Sequence, residues 1–221
     1  LQTEWPELEV YLTSVTEQYG TISLNGPNSR KLMQKLNSDY DFSKENFPHM
    51  SFNNINLCGV ECRVMRISFT GELCYEINVP SGYAKYLWDN CIEKGQEFNI
   101  TPYGTEAMHV LRAEKGFIIV GQETDGSVTP IDLDMDWIVS KKKYDFVGKR
   151  ALHRSDTIKK DRKQLVGLKT KDPNKVLEEG SQLVEEITAL PMKMVGHVTS
   201  SYYSPNLKSS FALALIKGGL E

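Results

Sequence analysis

Hydrophobic and polar residues alternate along residues 68–79, which read SFTGELCYEINV. An alternation with a period of two predicts a β-strand that has one apolar face and one polar face. The polar face of this strand carries two carboxylates, Glu72 and Glu76. Two interpretations of the pair are open: it lies on the solvent side of a half-covered sheet, or one of the two carboxylates binds a ligand.

The pattern of the first hundred residues predicts a ferredoxin-like arrangement. Ser81 and Gly95 are typical start and stop residues of a helix, Thr70-Gly71 is typical of a hairpin turn, and residues 46–56 are interpreted as a polar loop. The predicted elements are a strand at 17–24, a helix within 25–36 that has Pro27 at its first position, strands at 60–68 and 73–79, a helix at 82–94 and a strand at 98–101. This order is that of the split βαβ motif, in which helices cover one face of an antiparallel sheet and leave the other free.

The second half of the chain changes from mixed to all-β character. A helix is predicted at residues 105–115, followed by a strand at 117–120 and a short helix at 145–154. The charged run at residues 159–163 interrupts the apolar pattern and marks a domain boundary. Beyond it, short apolar runs separated by turn residues predict strands at 164–170, 182–186, 194–200 and 211–216.

These elements predict an α+β protein with two domains, residues 1–160 and 161–221. Four strands are too few to close a barrel, and the first domain begins as if the fold were already under way. We therefore expect both domains to be truncated parts of a longer polypeptide.

Composition and charge exclude several classes of function. The net charge is -3 with 26 basic residues, so neither a nucleic acid nor an anionic membrane is an expected partner. No apolar run approaches the about 20 residues that span a bilayer. The four cysteines lack the C-x-x-C spacing of a zinc or redox site, and we expect reduced thiols in a cytoplasmic protein without a metal site.

Few residue patterns match a known type of active site. The chain has no phosphate-binding loop and no dinucleotide fingerprint, and its four histidines lie far apart without a hydrolase signature. Trp137 is either a core aromatic or a plate that stacks on a flat heterocycle. The three lysines at residues 141–143 are either a solvated surface or a site for an anionic group.

Four segments, taken in order, resemble one protein family. They are SFTGELCYEINVP (68–80), YGTEAMHVLRAEKGF (103–117), GQETDGSVTPIDLDMDWIVSKKKYDFVGKRAL (121–152) and GHVTSSYYSPNLKSSFALAL (196–215). Their order and spacing are similar to those of the glycine-cleavage T-protein, or aminomethyltransferase, family. Within that family, residues 1–20 and the Phe-Thr-Gly-Glu turn resemble the C-terminal part of the alpha subunits of heterotetrameric sarcosine oxidases.

The resemblance implies a fold and a set of site residues. The fold is a ferredoxin-like, T-protein-like folate-binding domain followed by a jelly-roll-like barrel. Glu76 falls on the family glutamate that hydrogen-bonds the pterin edge, and a carboxylate can accept two parallel N–H bonds from such an edge. Phe69 falls where T-proteins have a tyrosine, Trp137 falls on the family tryptophan near the folate, and Glu72 is expected to support Glu76.

Two substitutions and one absent residue limit the catalytic prediction. Met108 and Leu165 stand where T-proteins have arginines. The folate glutamate tail would then be held by other groups, for which the lysines at 141–143 are candidates. The aspartate that the family uses in one-carbon transfer has no counterpart in these residues, so no catalytic residue is predicted within them.

The resemblance also implies an activity and partners. Tetrahydrofolate is the expected cofactor, and it would capture the one-carbon unit from sarcosine oxidation as 5,10-methylenetetrahydrofolate. Flavin and NAD are expected only in other parts of a complex with beta, gamma and delta subunits, and these residues alone are expected to be inactive. Another folate-dependent aminomethyltransferase or demethylase, or a non-catalytic folate-fold scaffold, are the alternatives.

Overall fold

The computed structural model describes residues 3–187 and 190–220. The chain forms two compact units, Leu1–Gly104 and Thr105–Glu221, and each contains one four-stranded antiparallel sheet. This confirms the predicted α+β class. No helix within the described ranges is long and apolar enough to cross a membrane. The predicted domain boundary at residue 160 stays a prediction.

The first unit is a sheet with two helices. Its strands, in sheet order, are β1 (Tyr19–Asn25), β4 (Cys74–Pro80), β3 (Val60–Met65) and β2 (Phe52–Leu57). Its helices are α1 (Ser29–Leu36) and α2 (Ala84–Gly95), and short 3-10 turns span Thr16–Gln18, Ser81–Tyr83 and Gln96–Phe98. Helix α2 packs on β1 and β4, so the helices cover one face of the sheet.

One face of this sheet is the core of the first unit. Tyr75, Ile77 and Val79 of β4 are fully buried, as period-two burial predicts. Tyr75 stacks on Phe47 with ring centroids 6.0 Å apart and meets Phe42 edge-on at 6.0 Å. Such aromatic pairs add about 0.5–1.5 kcal/mol each beyond the area they bury. The central strand is therefore anchored by its apolar side.

Three predictions in the first unit are wrong in detail. The fourth strand is β2, which lies in the predicted polar loop, and residues 98–101 form no strand. The asparagines of β2 hide its alternation, but Ile55 and Leu57 are buried at every second position. The chain cannot extend at 98–101 because Asn99 adopts a left-handed conformation, with φ of 57°. Ser81 does not cap α2; it lies in a 3-10 turn that precedes the helix.

The second unit begins with α3 (Thr105–Glu114), which ends near Gly116 as predicted. Its sheet has the order β5-β8-β7-β6. The strands are β5 (Lys163–Lys169), β6 (Gln182–Val184), β7 (Met194–Ser204) and β8 (Ser209–Lys217), and 3-10 turns span Pro130–Leu133, Asp136–Ile138 and Arg150–His153. All four predicted strands of this sheet are confirmed.

Two local predictions fail in the second unit. Residues 117–120 form no strand, and the helix predicted at 145–154 is reduced to the 3-10 turn Arg150–His153. The apolar residues at 117–120 belong to a loop whose backbone binds a buried ion pair: the Ile119 N–H donates to Glu123 over 2.7 Å and the Phe117 carbonyl accepts from Arg112 over 3.1 Å. These bonds replace the ladder bonds of a strand.

Candidate functional site

The face of the first sheet opposite its core is polar and carries Glu76. Glu76 lies on β4 between Ser23 of β1 and Met65 of β3. Two residues further along β4, Asn78 lies between Thr21 and Arg63. The predicted alternation of β4 is therefore confirmed.

Cys74 lies on the same side of β4 as Glu76 and Asn78, as predicted, but it is fully buried there. Its thiol lies 3.5 Å from the Ser23 hydroxyl. Burial raises the pKa of this thiol, and the Ser23 contact only partly opposes the rise.

Asn25, the last residue of β1, organises one end of the polar face. Its amide nitrogen donates to Ser23 Oγ over 2.9 Å and to the Tyr103 hydroxyl over 2.5 Å. Its side-chain oxygen Oδ1 accepts a bond from Thr70 Oγ1 over 2.9 Å. Thr70 is buried in the connection between β3 and β4, so this connection is fixed to the strand beside Glu76.

Two polar groups of β4, the Glu76 carboxylate and the Asn78 amide nitrogen, take no part in this hydrogen-bond network. The carboxylate of half-buried Glu76 makes no hydrogen bond or ion pair with residues 3–187 or 190–220. The amide nitrogen of Asn78 is buried without a partner among the same residues, while its oxygen accepts a bond from Thr21 Oγ1 over 2.9 Å. A half-buried carboxylate without a side-chain or backbone partner among these residues can bind a ligand with N–H donors.

Phe69 and Glu72 lie in the connection between β3 and β4. Phe69 is half-buried and Glu72 is exposed. Glu72 precedes the strand, which begins at Cys74, and its N–H donates to Thr70 Oγ1 over 3.4 Å. Arg66 supports the same connection, with its guanidinium 5.3 Å from the Tyr75 ring centroid. The structure thus gives Glu72 a place at the turn, and its supporting role stays a prediction.

Trp137 belongs to the second unit. It lies in the 3-10 turn Asp136–Ile138 and is 73% exposed, so the interpretation as a core aromatic is wrong. Its sharing of a concavity with Glu76 and Phe69 stays a prediction. Lys141 pairs with Asp136 at 3.2 Å in the exposed loop that follows.

The 3-10 turn Pro130–Leu133, which precedes the turn that carries Trp137, is fixed by an ion pair between buried Asp132 and half-buried Arg162 that sequence reasoning missed. Arg162 Nε donates to Asp132 Oδ1 over 2.9 Å and its Nη2 donates to Asp132 Oδ2 over 2.6 Å. Burial raises the pKa of Asp132, but the bonds from Arg162 and from Thr129 outweigh it and hold that pKa below its usual value. Thr129 and Asp132 also form a capping box, and the signal T-P-I-D was present in the sequence.

A second buried ion pair, Arg112–Glu123, was also missed. Arg112 Nη1 lies 3.0 Å from Glu123 Oε2, and neither side chain is exposed. Arg112 Nη2 donates to Ser200 Oγ over 2.7 Å and to the Tyr202 hydroxyl over 3.3 Å, and Ser200 Oγ donates to Glu123. No spacing rule connects residues so far apart in sequence, so their pairing was not predictable from the chain alone.

The cysteines match the prediction of free thiols. Cys62, Cys74 and Cys91 are buried, Cys58 is half-buried, and none forms a disulfide. Burial raises the pKa of Cys62 to about 11 and that of Cys91 to about 12. No cluster that could hold a metal ion occurs in the part of the chain that the structure describes.

Comparison with known proteins places the chain in a family. The family model of the GCVT N-terminal domain matches residues 1–143. The model of the glycine cleavage T-protein C-terminal barrel domain matches residues 163–221.

Two groups of relatives cover nearly the whole chain. The sarcosine oxidase subunit alpha of Corynebacterium sp. (strain P-1) is 55% identical over 99% of this chain, which spans 23% of that protein. The aminomethyltransferase of Thermoanaerobacter sp. (strain X514) is 34% identical over 94% of this chain and 54% of that protein. The chain therefore spans about a quarter or about half of these relatives.

The fold agrees with a solved structure. The aminomethyltransferase T of the glycine cleavage system from Bartonella henselae matches with a TM-score of 0.70 at 22% identity, over 89% of this chain and 51% of that one. This likeness supports the fold alone. Since the two family models together match almost all of its residues, the chain belongs to the glycine cleavage T-protein family.

Proposed function

We propose that the chain binds tetrahydrofolate on the polar face of its first sheet, with Glu76 as the ligand of the pterin edge. The observation that carries the proposal is the half-buried carboxylate of Glu76, which has no partner among the described residues. A pterin offers two adjacent N–H groups that a carboxylate can accept in parallel. Membership of a folate-dependent family agrees with this choice.

The remaining proposed ligands have distinct tasks. Phe69 supplies ring packing beside the β3–β4 connection, and Trp137 supplies an exposed aromatic face for stacking on a flat heterocycle. Glu72 supports the turn. Met108 and Leu165 are half-buried and carry no charge, so the glutamate tail of the folate is held by other cations, and the exposed lysines at 141–143 are the proposed ones.

We further propose that the longer protein is an alpha subunit of a sarcosine oxidase, because the sarcosine oxidase subunit alpha of Corynebacterium sp. (strain P-1) is 55% identical to this chain over the 225 aligned residues. Tetrahydrofolate would accept the one-carbon unit from sarcosine as 5,10-methylenetetrahydrofolate. The flavin, NAD, the transfer aspartate and the other subunits lie outside these residues. The task of this chain is to bind and orient the folate amine, which is catalysis by proximity.

Binding of folate to Glu76 variants of the full-length protein tests this proposal. Replacement of Glu76 by Gln should weaken tetrahydrofolate binding by about 1.5–3 kcal/mol, the range for a hydrogen bond to a charged group. Calorimetry measures the affinity, and a flavin assay should show sarcosine oxidation little changed, with formaldehyde released in place of methylene-folate.

Glu72→Gln is the matched control, because it removes the same charge from the exposed turn residue. Its affinity should change by less than that of Glu76→Gln. Equal affinity of the parent protein and Glu76→Gln would refute the proposed ligand.

An aminomethyltransferase acting on another amine is the second candidate. The Thermoanaerobacter relative, at 34% identity over 94% of this chain, favours it. The amine that donates the one-carbon unit distinguishes the two. Methylene-folate formed with an aminomethyl donor, and none formed with sarcosine, would select the second candidate.

A further inference from the structure

We infer that Asn78 is a second recognition residue beside Glu76, and that the two together select a pterin with an oxo group at position 4 over its 4-amino counterpart. The inference rests on the proposed folate function and refines the ligand class that the site accepts. It is carried by the unsatisfied amide nitrogen of Asn78.

Asn78 and Glu76 are placed to contact one ligand. They are alternate residues of β4, so both side chains project from the polar face. Their Cα atoms lie about 6.6 Å apart along the strand, twice the rise per residue, a gap that the longer Glu76 side chain can lean across. Strand β4 is flanked by β1 and β3, so the pair sits inside the sheet and away from its edges.

The orientation of the Asn78 amide is set by Thr21. The Thr21 hydroxyl donates to Asn78 Oδ1 over 2.9 Å, which directs the amide nitrogen away from β1. That nitrogen is buried and has no acceptor within residues 3–187 or 190–220. A buried donor without an acceptor costs free energy, and a ligand acceptor that reaches it removes that cost.

The pair presents a defined hydrogen-bonding pattern. The Glu76 carboxylate offers two acceptors and the Asn78 amide offers a donor beside them. The complementary edge has two donors followed by an acceptor, which in a pterin are the 2-amino group, N3–H and the 4-oxo group. A 4-amino pterin has a donor where the 4-oxo group would be and no hydrogen on N3, so it leaves groups of the site unpaired.

The other side chains around Asn78 are less suited than Asn78 to donate a hydrogen bond to the 4-oxo group. Thr21 already uses its hydroxyl on Asn78, and Ser23 accepts from Asn25 over 2.9 Å. Arg63 faces Asn78 from β3 and is exposed. Arg63 is the charged side chain that faces Asn78 directly and is an alternative donor, so Arg63→Met serves as the control variant.

The test compares two ligands that differ at position 4 alone, folic acid and 4-amino-4-deoxyfolic acid, by calorimetry on the full-length protein. The parent and Arg63→Met should each bind folic acid at least tenfold more tightly. Asn78→Asp keeps the shape and the acceptor for Thr21 but replaces the donor by an acceptor, so its preference should fall to parity or reverse. Asn78→Ala, which adds no charge, should lose affinity for folic acid and keep that for the analogue.

The outcomes separate this inference from the proposed function. If both Asn78 variants weaken the two ligands equally, Asn78 is a structural residue and the inference is wrong, while the proposed function stands. If Arg63→Met abolishes the preference, Arg63 is the donor and the inference is also wrong. A parent protein that binds tetrahydrofolate but shows no preference between the two pterins refutes this inference alone, and one that binds neither these pterins nor tetrahydrofolate refutes the proposed function and this inference with it.

Discussion

Replacement of Glu123 by Gln tests how much the second unit depends on its buried ion pair. The variant keeps the shape of the side chain and removes its charge. The Arg112 guanidinium, which has no exposed surface, then stays buried without a counter-charge. The introduced glutamine would also have to receive the Ile119 N–H and the Ser200 hydroxyl that the carboxylate accepts.

The expected loss is large. Leaving one partner of a buried pair uncompensated costs about 3–5 kcal/mol, a large fraction of the 5–15 kcal/mol that is typical of a whole domain. The opening of β7, which supplies Ser200 and Tyr202 to the pair, should become easier by that amount. At about 1.4 kcal/mol for each factor of ten, its amides should exchange about two to nearly four orders of magnitude faster.

Hydrogen exchange of the full-length protein, read by mass spectrometry on peptides of β7, measures this change. Asp136→Asn is the matched control, since its partner Lys141 is 79% exposed and Asp136 is 56% exposed. Exposed pairs contribute about 0–1 kcal/mol, so β7 should exchange at nearly the parent rate. If Glu123→Gln exchanged no faster than Asp136→Asn, the reasoning from buried charge would be refuted.

Two further substitutions in the second unit have predictable effects. Asp132→Asn should lower its stability by about 1–3 kcal/mol at pH 7, because it weakens bonds from the Arg162 guanidinium. Folding lowers the pKa of Asp132, so this contribution is complete above the unfolded pKa of about 3.9 and is lost as the pH falls through the folded pKa. The difference in free energy of unfolding between the parent and Asp132→Asn, measured with urea, should therefore be smaller at pH 3 than at pH 7. An equal difference at both pH values would contradict the assignment. Gly196→Ala should destabilise the same unit by about 1–3 kcal/mol, because its Cβ would meet the Leu215 carbonyl oxygen of β8. Gly167→Ala in β5, where a Cβ meets nothing within 4 Å, should leave the free energy of unfolding in urea nearly unchanged. Equal losses of stability in the two variants would exclude the steric explanation.

The strands with a clear alternation were predictable because one face of each sheet is buried. Tyr75 and Ile77 lie in the core and Glu76 does not, as the period of two required. The alternation of β2 was obscured because its exposed positions hold asparagines, which are typical of loops. The apolar residues at 117–120 led to the opposite error, the prediction of a strand where none forms. Long-range bonds to a buried ion pair outweigh the local strand preference there.

The candidate site was predictable in part, for the same physical reasons. The position of Glu76 follows from alternation, but the importance of Asn78 depends on which neighbour satisfies which atom, and a single sequence does not contain that information. The exposure of Trp137 could not be read from its residue type, because tryptophan occurs in cores and on binding surfaces alike.

The Asp132–Arg162 ion pair limits where this part of the protein can be cut for an exchange of domains. The two family models end at residue 143 and resume at residue 163, and Arg162 lies in the interval between them while its partner lies in the first. Arg112 and Gln122 likewise bind Ser200 of the barrel region over 2.7 and 3.0 Å. An exchange of residues 163–221 alone keeps both ion pairs, because all four charged residues lie before residue 163, but it replaces the Ser200 and Tyr202 hydroxyls that bind the buried Arg112 guanidinium. A recombinant or evolutionary swap that carries α3 and its following loop along with the barrel region preserves these hydrogen bonds as well.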